Sequence, residues 1–459
     1  MSTPLLPRVA IIGAGPSGFY AAEALQKAHP GIAIDLFDRL PTPFGLVRGG
    51  VAPDHPKIKS VTKVFERIAS QPGFRFLGHV EIGSDLTVAE LREQYDAVIA
   101  TFGARTDRPL GIPGEHLAGS HAATELVGWY NGHPDYAELP FDLSQSAAAV
   151  IGIGNVAMDV TRILAKSPDV LATTDLAAHA LQALRGSSIR TIHVIARRGA
   201  AQAACTTPEL RELGELEGVD VFVPREYLQL DEASAAVLAA AEDRTAEKNL
   251  AVLREWAERT PTGAPIQIHF HFLTSPVALL GEQRLRGMVV ERNRLESDGQ
   301  GGVRALPTGE QQTLDIGLVF RSVGYRGVAL EGFPFDDRRG IIPNQGGRVT
   351  TGGGPSQVVP GLYVAGWIKR GPQGVIGTNK SCAAETVAQL LADLESGAVA
   401  RRGGHAEQVD ALLASRGVRV TSWADWQRLD AEEQARGAPA GRPREKLVSV
   451  EEMLAVIGV

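Results

Sequence analysis

Two glycine-rich turns are the features of this sequence with the clearest capacity for chemistry. The first, Gly13-Ala14-Gly15-Pro16-Ser17-Gly18, follows a short apolar strand and opens a helix. In this pattern the first glycine permits the tight turn, the second lets the backbone approach a pyrophosphate, and the third lets helix and strand pack closely. Asp38, at the end of the next strand, is placed to accept hydrogen bonds from ribose hydroxyls. The alternative is a glycine turn without a ligand, but the strand, helix and acid around it favour a dinucleotide site.

The second turn, Gly152-Ile153-Gly154-Asn155-Val156-Ala157, repeats the pattern but differs at the end of the following strand. Arg197 and Arg198 stand there, where an NAD site usually has an acid. Two guanidinium groups can hold a 2′-phosphate, which a carboxylate would repel. The pair therefore predicts a preference for NADPH over NADH, and the alternative is a solvated charge pair at a strand exit.

The elements that must position these turns are predicted from apolar periodicity. Around the first turn we expect strands at Val9–Ile12, Ile32–Phe37, Phe74–Val80 and Tyr95–Thr101, and helices at Phe19–Ala28 and Ile58–Ser70. Around the second we expect strands at Ala148–Ile151 and Ile192–Ile195, a helix through Leu164 and a helical stretch at Ser167–Leu184. Towards the C-terminal end we expect a strand at Gly361–Trp367, a turn at Gly371–Gly377 and a helix at Ser381–Leu394.

Composition narrows the class of protein. A chain of 459 residues predicts two or three domains, and its formal charge of -7 argues against a general nucleic-acid-binding surface. We expect no membrane span, because no run of about 18 apolar residues occurs, and Met1–Pro7 lacks the features of a signal peptide. Cys205 and Cys382 are the only cysteines, which fits a reducing cytoplasm and provides neither a CxxC pair nor a cysteine cluster for a metal. No metal site is expected.

Two dinucleotide sites in one chain imply a flavin that accepts a hydride from a nicotinamide. At this point the sequence resembles a known family, the NADPH–ferredoxin reductases of the adrenodoxin reductase type, especially the actinobacterial members. Besides the two turns and Ala196-Arg197-Arg198-Gly199, three long motifs carry the resemblance, and they span nearly the whole chain in family order. They are Leu40-Pro41-Thr42-Pro43-Phe44-Gly45-Leu46-Val47-Arg48, Gly50-Val51-Ala52-Pro53-Asp54-His55-Pro56-Lys57 and Trp367-Ile368-Lys369-Arg370-Gly371-Pro372-Gln373-Gly374-Val375-Ile376-Gly377-Thr378-Asn379-Lys380.

The resemblance implies an α/β fold of two Rossmann-like domains, with the NADP domain inserted into the FAD domain. The implied FAD domain comprises residues 1–107 and 325–459, and the implied NADP domain comprises residues 108–324. The implied activity is reduction of FAD by NADPH, followed by transfer of single electrons to a ferredoxin, an acidic iron–sulfur protein. Oligomeric state is left open, with a monomer favoured.

The resemblance also implies the site residues. Asp38 would hold the adenosine ribose, although the family more often has Glu there, and Ala14 replaces a Ser common in close relatives. Leu46, Trp367 and Gly374-Val375-Ile376 would contact the flavin, and the last three, in a turn opening a helix, also offer amide donors on physical grounds. The FAD set further includes Gly13, Gly15, Pro16, Ser17 and Val80, and the NADP set comprises Gly154, Asn155, Val156, Arg197, Arg198 and Glu209.

Few polar residues are expected to act directly in the reaction, because hydride transfer depends on the positioning of the two cofactors more than on acid–base groups. In the family, the histidine matching His55 lies near the nicotinamide with a glutamate matching Glu212, so both are catalytic candidates. The alternative for His55 is a loop-fixing role. Cationic residues in the stretch 57–67 and at positions 369 and 370 are candidates for steering an acidic partner protein towards the flavin. The alternative is that they form an ordinary solvated surface. They are Lys57, Lys59, Lys63, Arg67, Lys369 and Arg370.

Three other functions compete with the ferredoxin reductase. A flavin disulfide reductase needs a redox cysteine pair, which this sequence lacks. A flavin monooxygenase would bind an organic substrate, and the Trp367–Lys380 motif argues against it. An electron-distributing subunit of a larger complex, as in the glutamate synthase small subunit, would carry N-terminal iron–sulfur cysteines that are absent here.

Overall fold

The computed structural model describes residues 7–352, 357–402 and 405–458. The expectation for Met1–Pro7 therefore falls outside the described residues except at Pro7 itself. The chain forms two compact units. Unit 1 comprises Met1–Thr106 and Gly324–Val459, and unit 2 comprises Asp107–Val323.

Unit 1 is built on a seven-stranded sheet. Its strands lie in the order Asn344–Gln345, Arg348–Thr350, Val358–Val364, Ala97–Ala100, Arg8–Ile12, Ala33–Phe37 and Phe74–Leu77. All neighbours are parallel from Val358–Val364 onwards, while the first three strands pair antiparallel. The first strand in sequence therefore lies in the middle of the parallel region, as in a Rossmann-like half-fold.

Both faces of this sheet are buried, which explains the uninterrupted apolar run at its centre. Val9 and Ile11 belong to one hydrophobic cluster, and Ala10 and Ile12 belong to another on the opposite face. The long helices Pro16–Ala28 and Thr378–Glu395 contribute to the first cluster. The remaining helices of unit 1 are Leu46–Gly49, Pro56–Lys59, Thr62–Ala69, Val88–Gln94, Trp367–Arg370, Ala406–Ser415, Trp423–Gly437 and Val450–Ile457.

Unit 2 contains a six-stranded parallel sheet and a three-stranded antiparallel sheet. The parallel strands lie in the order Ser120–Ala122, Leu318–Arg321, Ala147–Ile151, Thr191–Ile195, Ile266–His271 and Val219–Phe222. The antiparallel strands Thr274–Leu280, Gly287–Ser297 and Val303–Leu314 share a hydrophobic cluster with the parallel sheet. The helices are Ala123–Tyr130, Asn155–Ala165, Pro168–Leu171, Ala178–Arg185, Thr207–Leu213, Glu232–Ala240 and Thr245–Ala257.

Three predicted elements were wrong in their boundaries. The single helix expected over 58–70 is two helices, Pro56–Lys59 and Thr62–Ala69, separated at Ser60 and Val61. The stretch over 167–184 is likewise two helices, Pro168–Leu171 and Ala178–Arg185. Trp367 does not end a strand: the strand ends at Val364, Gly366 turns the chain at φ +79°, and Trp367 begins a helix.

Candidate functional site

The three glycines of the first turn are required for different reasons. A Cβ atom at Gly13, where φ is +106°, would lie 2.7 Å from the Phe102 Cα atom. A Cβ atom at Gly18 would lie 2.2 Å from the Gly13 carbonyl oxygen. At Gly15, by contrast, a Cβ atom would meet no protein atom within 4 Å. Packing within the protein thus explains Gly13 and Gly18, whereas the open space at Gly15 fits a ligand that approaches the backbone.

The helix that follows this turn presents an open N-terminus. Gly15 is its N-cap residue, Pro16 is at the start, and no side chain caps it. The first amides of a helix lack internal partners and carry partial positive charge, so this end suits an anion. The Ser17 hydroxyl donates to Asn379 Oδ1 at 3.0 Å, which ties the turn to the helix Thr378–Glu395. The residues present therefore fit a pyrophosphate at this position.

Asp38 lies at the end of the strand Ala33–Phe37 and is joined to the turn by its carboxylate. Its Oδ2 accepts from the Ala14 amide at 2.9 Å, and its Oδ1 accepts from the Leu40 amide at 3.0 Å. Burial raises the pKa of Asp38, while these amides and the charge of Arg39 act in the opposite direction. Since a carboxylate has about four acceptor sites, it retains capacity for ribose hydroxyls.

The loop after Asp38 returns across the first turn. The Phe44 amide donates to the Ala14 carbonyl at 2.7 Å. A Cβ atom at Gly45, where φ is +48°, would lie 3.0 Å from the Gly15 Cα atom. Leu46 follows and is 39% exposed, so its apolar side chain is available to cover a ligand. Val80, which was predicted to belong to the FAD site, is buried, and its amide donates to the Asp38 carbonyl at 2.9 Å.

The C-terminal motif lies against the same turn. A Cβ atom at Gly366 would lie 2.0 Å from Ser17 Oγ, so the chain before Trp367 passes very close to the turn. The Trp367 indole nitrogen is buried and has no hydrogen-bond partner among the described residues. An orphaned buried donor indicates a missing acceptor, and a flavin provides several. The structure therefore brings Leu46, Trp367 and the first glycine turn together within unit 1.

The turn Gly374-Val375-Ile376 leads into the helix Thr378–Glu395. Gly374 has φ +82°, and Val375 is 61% exposed, the highest value among the large apolar side chains that the structure describes. The Val375 amide donates to Thr378 Oγ1 at 3.2 Å. That amide is therefore already partnered within the chain, while the exposed Val375 side chain offers an apolar contact.

The second turn repeats the arrangement within unit 2. A Cβ atom at Gly152, where φ is +136°, would lie 2.2 Å from the Ser322 carbonyl oxygen, whereas one at Gly154 would meet nothing within 4 Å. The helix Asn155–Ala165 begins there without a side-chain cap. Asn155 Oδ1 accepts from the Thr206 amide at 2.8 Å, so this side chain holds the neighbouring loop. The residues again fit a pyrophosphate, with the partly buried Val156 in the first helical turn.

Arg197 and Arg198 follow the strand Thr191–Ile195 and are both exposed. Their carbonyls are fixed by the Asn293 side-chain amide at 2.8 Å and the Leu273 amide at 3.0 Å. Partial desolvation lowers the pKa of Arg198, and the adjacent charge of Arg197 adds to the effect. Within the described part of the chain neither guanidinium forms an ion pair with a carboxylate. Two adjacent cations held in this way suit a doubly charged phosphate.

Glu209 and Glu212 share the helix Thr207–Leu213 and contact a buried arginine that the sequence did not single out. Arg162 is fully buried and lies 3.1 Å from Glu209, 3.5 Å from Glu212 and 2.6 Å from Asp159. The i, i+3 spacing of Asp159 and Arg162 on the helix after the second turn was the available signal. Glu209, expected to contact the nucleotide, thus has a structural ion pair in unit 2.

His55 precedes the helix Pro56–Lys59 in unit 1 and is partly buried. Its amide donates to the Ala52 carbonyl at 3.1 Å, and its carbonyl accepts from the Ile58 amide at 3.2 Å. These backbone contacts fix the position of His55 in the loop. The catalytic role of its imidazole stays a prediction.

One of the expected steering cations is used inside the protein. Lys369 is 8% exposed, and its ammonium group lies 2.7 Å from Glu385 and 3.0 Å from Thr386 Oγ1. The expectation that Lys369 contributes to a surface charge is therefore wrong, because its charge is buried and neutralised. Lys57, Lys63 and Arg67 are exposed, as expected.

The fold and the turns define a class, that of oxidoreductases with two Rossmann-like dinucleotide-binding units in one chain. Residues 7–232 match the model of the family "Pyridine nucleotide-disulphide oxidoreductase". The chain is 49% identical over 463 residues to the NADPH-ferredoxin reductase FprA of Mycobacterium tuberculosis, covering 98% of each chain. It is 43% identical over 463 residues to the mitochondrial NADPH:adrenodoxin oxidoreductase of Arabidopsis thaliana, covering 99% of this chain and 95% of that one.

A solved structure gives the same result. "Mycobacterium tuberculosis FprA in complex with NADPH" superposes with a TM-score of 0.93 at 48% identity, covering 99% of this chain and 100% of that one. The protein belongs to the family of NADPH–ferredoxin and adrenodoxin reductases. The resemblance seen in the sequence and the α/β class with two Rossmann-like domains are confirmed. Among the described residues no helix is long and apolar enough to cross a membrane.

The two open glycine positions provide a direct test of the sites. We expect Gly15→Ala and Gly154→Ala to fold normally, because the added methyl group meets no protein atom. Each methyl group would occupy phosphate space and weaken dinucleotide binding at its own turn by about 100-fold. Titration with each dinucleotide, together with the thermal midpoint of unfolding, measures both effects.

Each glycine variant is the control for the other, since the unaltered turn retains its affinity. Gly13→Ala is the contrasting control and lowers the midpoint itself, because its methyl group overlaps the Phe102 backbone. If Gly15→Ala and Gly154→Ala both keep full dinucleotide affinity, the assignment of the two turns as pyrophosphate sites is contradicted.

Proposed function

We propose that this protein is an NADPH-dependent ferredoxin reductase that uses bound FAD to pass electrons from NADPH to a ferredoxin. The observation that carries the proposal is the pair of open glycine turns, one followed by Asp38 and the other by Arg197 and Arg198. Full-length relatives named NADPH-ferredoxin reductase and NADPH:adrenodoxin oxidoreductase support it. FAD, when bound, supplies a hydride acceptor that can release its electrons singly.

We assign FAD to unit 1 and NADP to unit 2. Unit 1 carries the first turn with Gly13, Gly15 and Ser17, and Asp38 as the ribose acceptor. In the same unit, Leu46 and Trp367 would contact the flavin, and the buried Trp367 indole donor, which has no partner among the described residues, supports this role. Unit 2 carries Gly154, Asn155 and Val156 for the second pyrophosphate.

The electrostatics of the strand ends distinguish the two sites. Asp38 is a carboxylate and disfavours a nearby 2′-phosphate, whereas Arg197 and Arg198 are exposed and attract one. The second turn therefore takes NADPH in preference to NADH.

Cysteine chemistry plays no part in the proposed reaction, although the family name refers to disulphides. Cys205 and Cys382 are the two cysteines of the full sequence, and both are free and buried. Burial raises the pKa of Cys205 to about 12, so its thiol stays protonated at neutral pH. Two buried, unpaired thiols also support a location in the reducing cytoplasm.

The electron acceptor is proposed from chemistry as well as from the relatives. Lys57, Lys63 and Arg67 are exposed cations in the segment 56–69, and an acidic iron–sulfur protein complements them. His55, which immediately precedes this segment, and Glu212 in unit 2 are proposed as the catalytic polar residues, with hydride transfer itself requiring only positioning.

Arg197→Ala tests the coenzyme assignment. Loss of one guanidinium from the 2′-phosphate raises the KM for NADPH by about 10- to 100-fold. The KM for NADH, which has no 2′-phosphate, stays within about threefold of its original value. Steady-state diaphorase assays with both coenzymes measure this. An equal change for NADPH and NADH would contradict the assignment.

The partner is tested by NADPH-driven reduction of cytochrome c, with and without a ferredoxin from the same cell. Ferredoxin is expected to stimulate the rate at low ionic strength, and the stimulation is expected to fall as salt screens the exposed cations. Glu432, a half-exposed acid elsewhere in unit 1 that pairs with Arg436, provides a control variant, Glu432→Gln, whose response to salt is expected to be unchanged. A rate independent of ferredoxin would overturn the partner and leave the diaphorase activity.

A further inference from the structure

The C-terminal part of unit 1 contains a fully buried carboxylate that the proposed reaction does not use. Glu433 lies in the helix Trp423–Gly437, and its side chain has no exposed surface. The Arg48 guanidinium donates to both of its oxygens, one at 2.8 Å and the other in a shorter contact. Arg444 donates to it at 3.2 Å, and the Leu447 amide donates at 2.9 Å. The carboxylate thus has four hydrogen bonds from three residues: Arg48, which is distant in sequence, and Arg444 and Leu447 in the segment after the helix.

The electrostatic balance keeps this group ionised. Burial alone would raise the pKa of Glu433, but the charges and hydrogen bonds of Arg48, with Arg444 and the Leu447 amide, hold it below its ordinary value. A buried ion pair of this kind is strongly disturbed when one partner is removed, because the other charge stays buried without compensation. Glu433 therefore fixes the position of Arg48 more firmly than a surface ion pair would.

Arg48 belongs to the loop that crosses the first glycine turn. It lies in the four-residue helix Leu46–Gly49, two residues after the exposed Leu46. Its guanidinium also lies 5.4 Å from the centre of the Trp426 ring, on the same C-terminal helix as Glu433. The Lys446 ammonium group donates to the Arg48 carbonyl at 3.3 Å. Both the side chain and the backbone of Arg48 are thus held by the C-terminal segment.

The start of the loop is held by the same helix. The Phe44 ring lies 5.4 Å from the Trp426 ring and 6.1 Å from the Trp423 ring. Phe44 has a φ of +83°, a conformation that is unfavourable for a non-glycine residue and persists where surrounding contacts impose it. The helix Trp423–Gly437 therefore fixes the loop on both sides of Gly45 and Leu46.

We propose that Glu433 is a positioning residue for FAD. Through Arg48, it holds Leu46 and the Gly45 backbone against the first glycine turn, so that the loop covers the cofactor. This inference rests on the proposed binding of FAD at that turn and on Leu46 lining the flavin. It assigns the C-terminal helix, which is far from the glycine motif in sequence, a part in cofactor retention.

The test measures FAD affinity in the full-length holoenzyme and three variants: Glu433→Gln, Arg48→Met and the double variant. Each single change is expected to raise the FAD dissociation constant by about tenfold or more, because the loop loses its anchor. The double variant is expected to bind FAD no more weakly than the worse single variant, since both changes remove one interaction. The visible circular dichroism of bound FAD reports on the altered loop independently of activity.

Glu432→Gln is the matched control, because it removes a carboxylate next to Glu433 in the same helix. Its partner Arg436 is on the surface, so FAD affinity is expected to stay within about twofold of that of the unaltered protein. Affinity of the second site for NADP+ is a further control and is expected to be unchanged in all variants. If Glu433→Gln does not fold, Arg48→Lys retains the charge but not the two-pronged contact, and is expected to weaken FAD binding in the same direction.

A purely structural role for Glu433 would lower the thermal midpoint but leave the FAD dissociation constant within about twofold, and that result would overturn the inference. Additive effects of Arg48→Met and Glu433→Gln would also overturn it. Unaltered protein that binds no FAD would instead refute the proposed function, so the two failures are distinguishable.

Discussion

The structure depends on one constraint: a pyrophosphate dianion has to be held by backbone amides, so the space next to those amides has to stay free of side chains. At Gly15 and Gly154 an added Cβ would meet no protein atom, although the neighbouring glycines are tightly packed. Both turns lead into helices without a side-chain cap, so their first amides and the helix dipole serve an anion. The parallel sheets of the two units place a strand and a helix on either side of each turn.

The two turns are alike in geometry, and the proposed assignment of FAD to the first and NADPH to the second rests on the charges at the ends of the following strands. Asp38 is bound to the first turn by the Ala14 amide, which places a negative charge beside it. Arg197 and Arg198 place two exposed positive charges beside the second. In the proposed function, the same local structure therefore binds two different nucleotides, which are distinguished by the charge of residues outside the turn.

The sequence alone predicted those site residues whose physical requirement is local. A positive φ at Gly13 and Gly152 demands glycine, and the charges at positions 38, 197 and 198 follow directly from the order of strands. The family and the fold were also predicted, because the long motifs around Leu46 and Trp367 extend over nearly the whole chain. Residues whose role depends on burial or on distant partners were not predictable in this way.

Three examples show the limit. Arg162 is buried against Glu209, which is 47 residues away, and Arg48 pairs with Glu433, which is 385 residues away. No local pattern reports such pairings, because they form only when the sheet and helices assemble. Lys369 looked like a surface cation but is buried against Glu385.

The central claim is that one chain holds FAD at the first turn and accepts a hydride specifically from NADPH at the second. Anaerobic titration of the FAD-loaded protein, followed by flavin absorbance, tests it most directly. About one equivalent of NADPH per flavin should remove the oxidised-flavin absorbance, while NADH at the same concentration should react much more slowly. Equal reduction by NADH and NADPH, or protein that retains no FAD, would contradict the account.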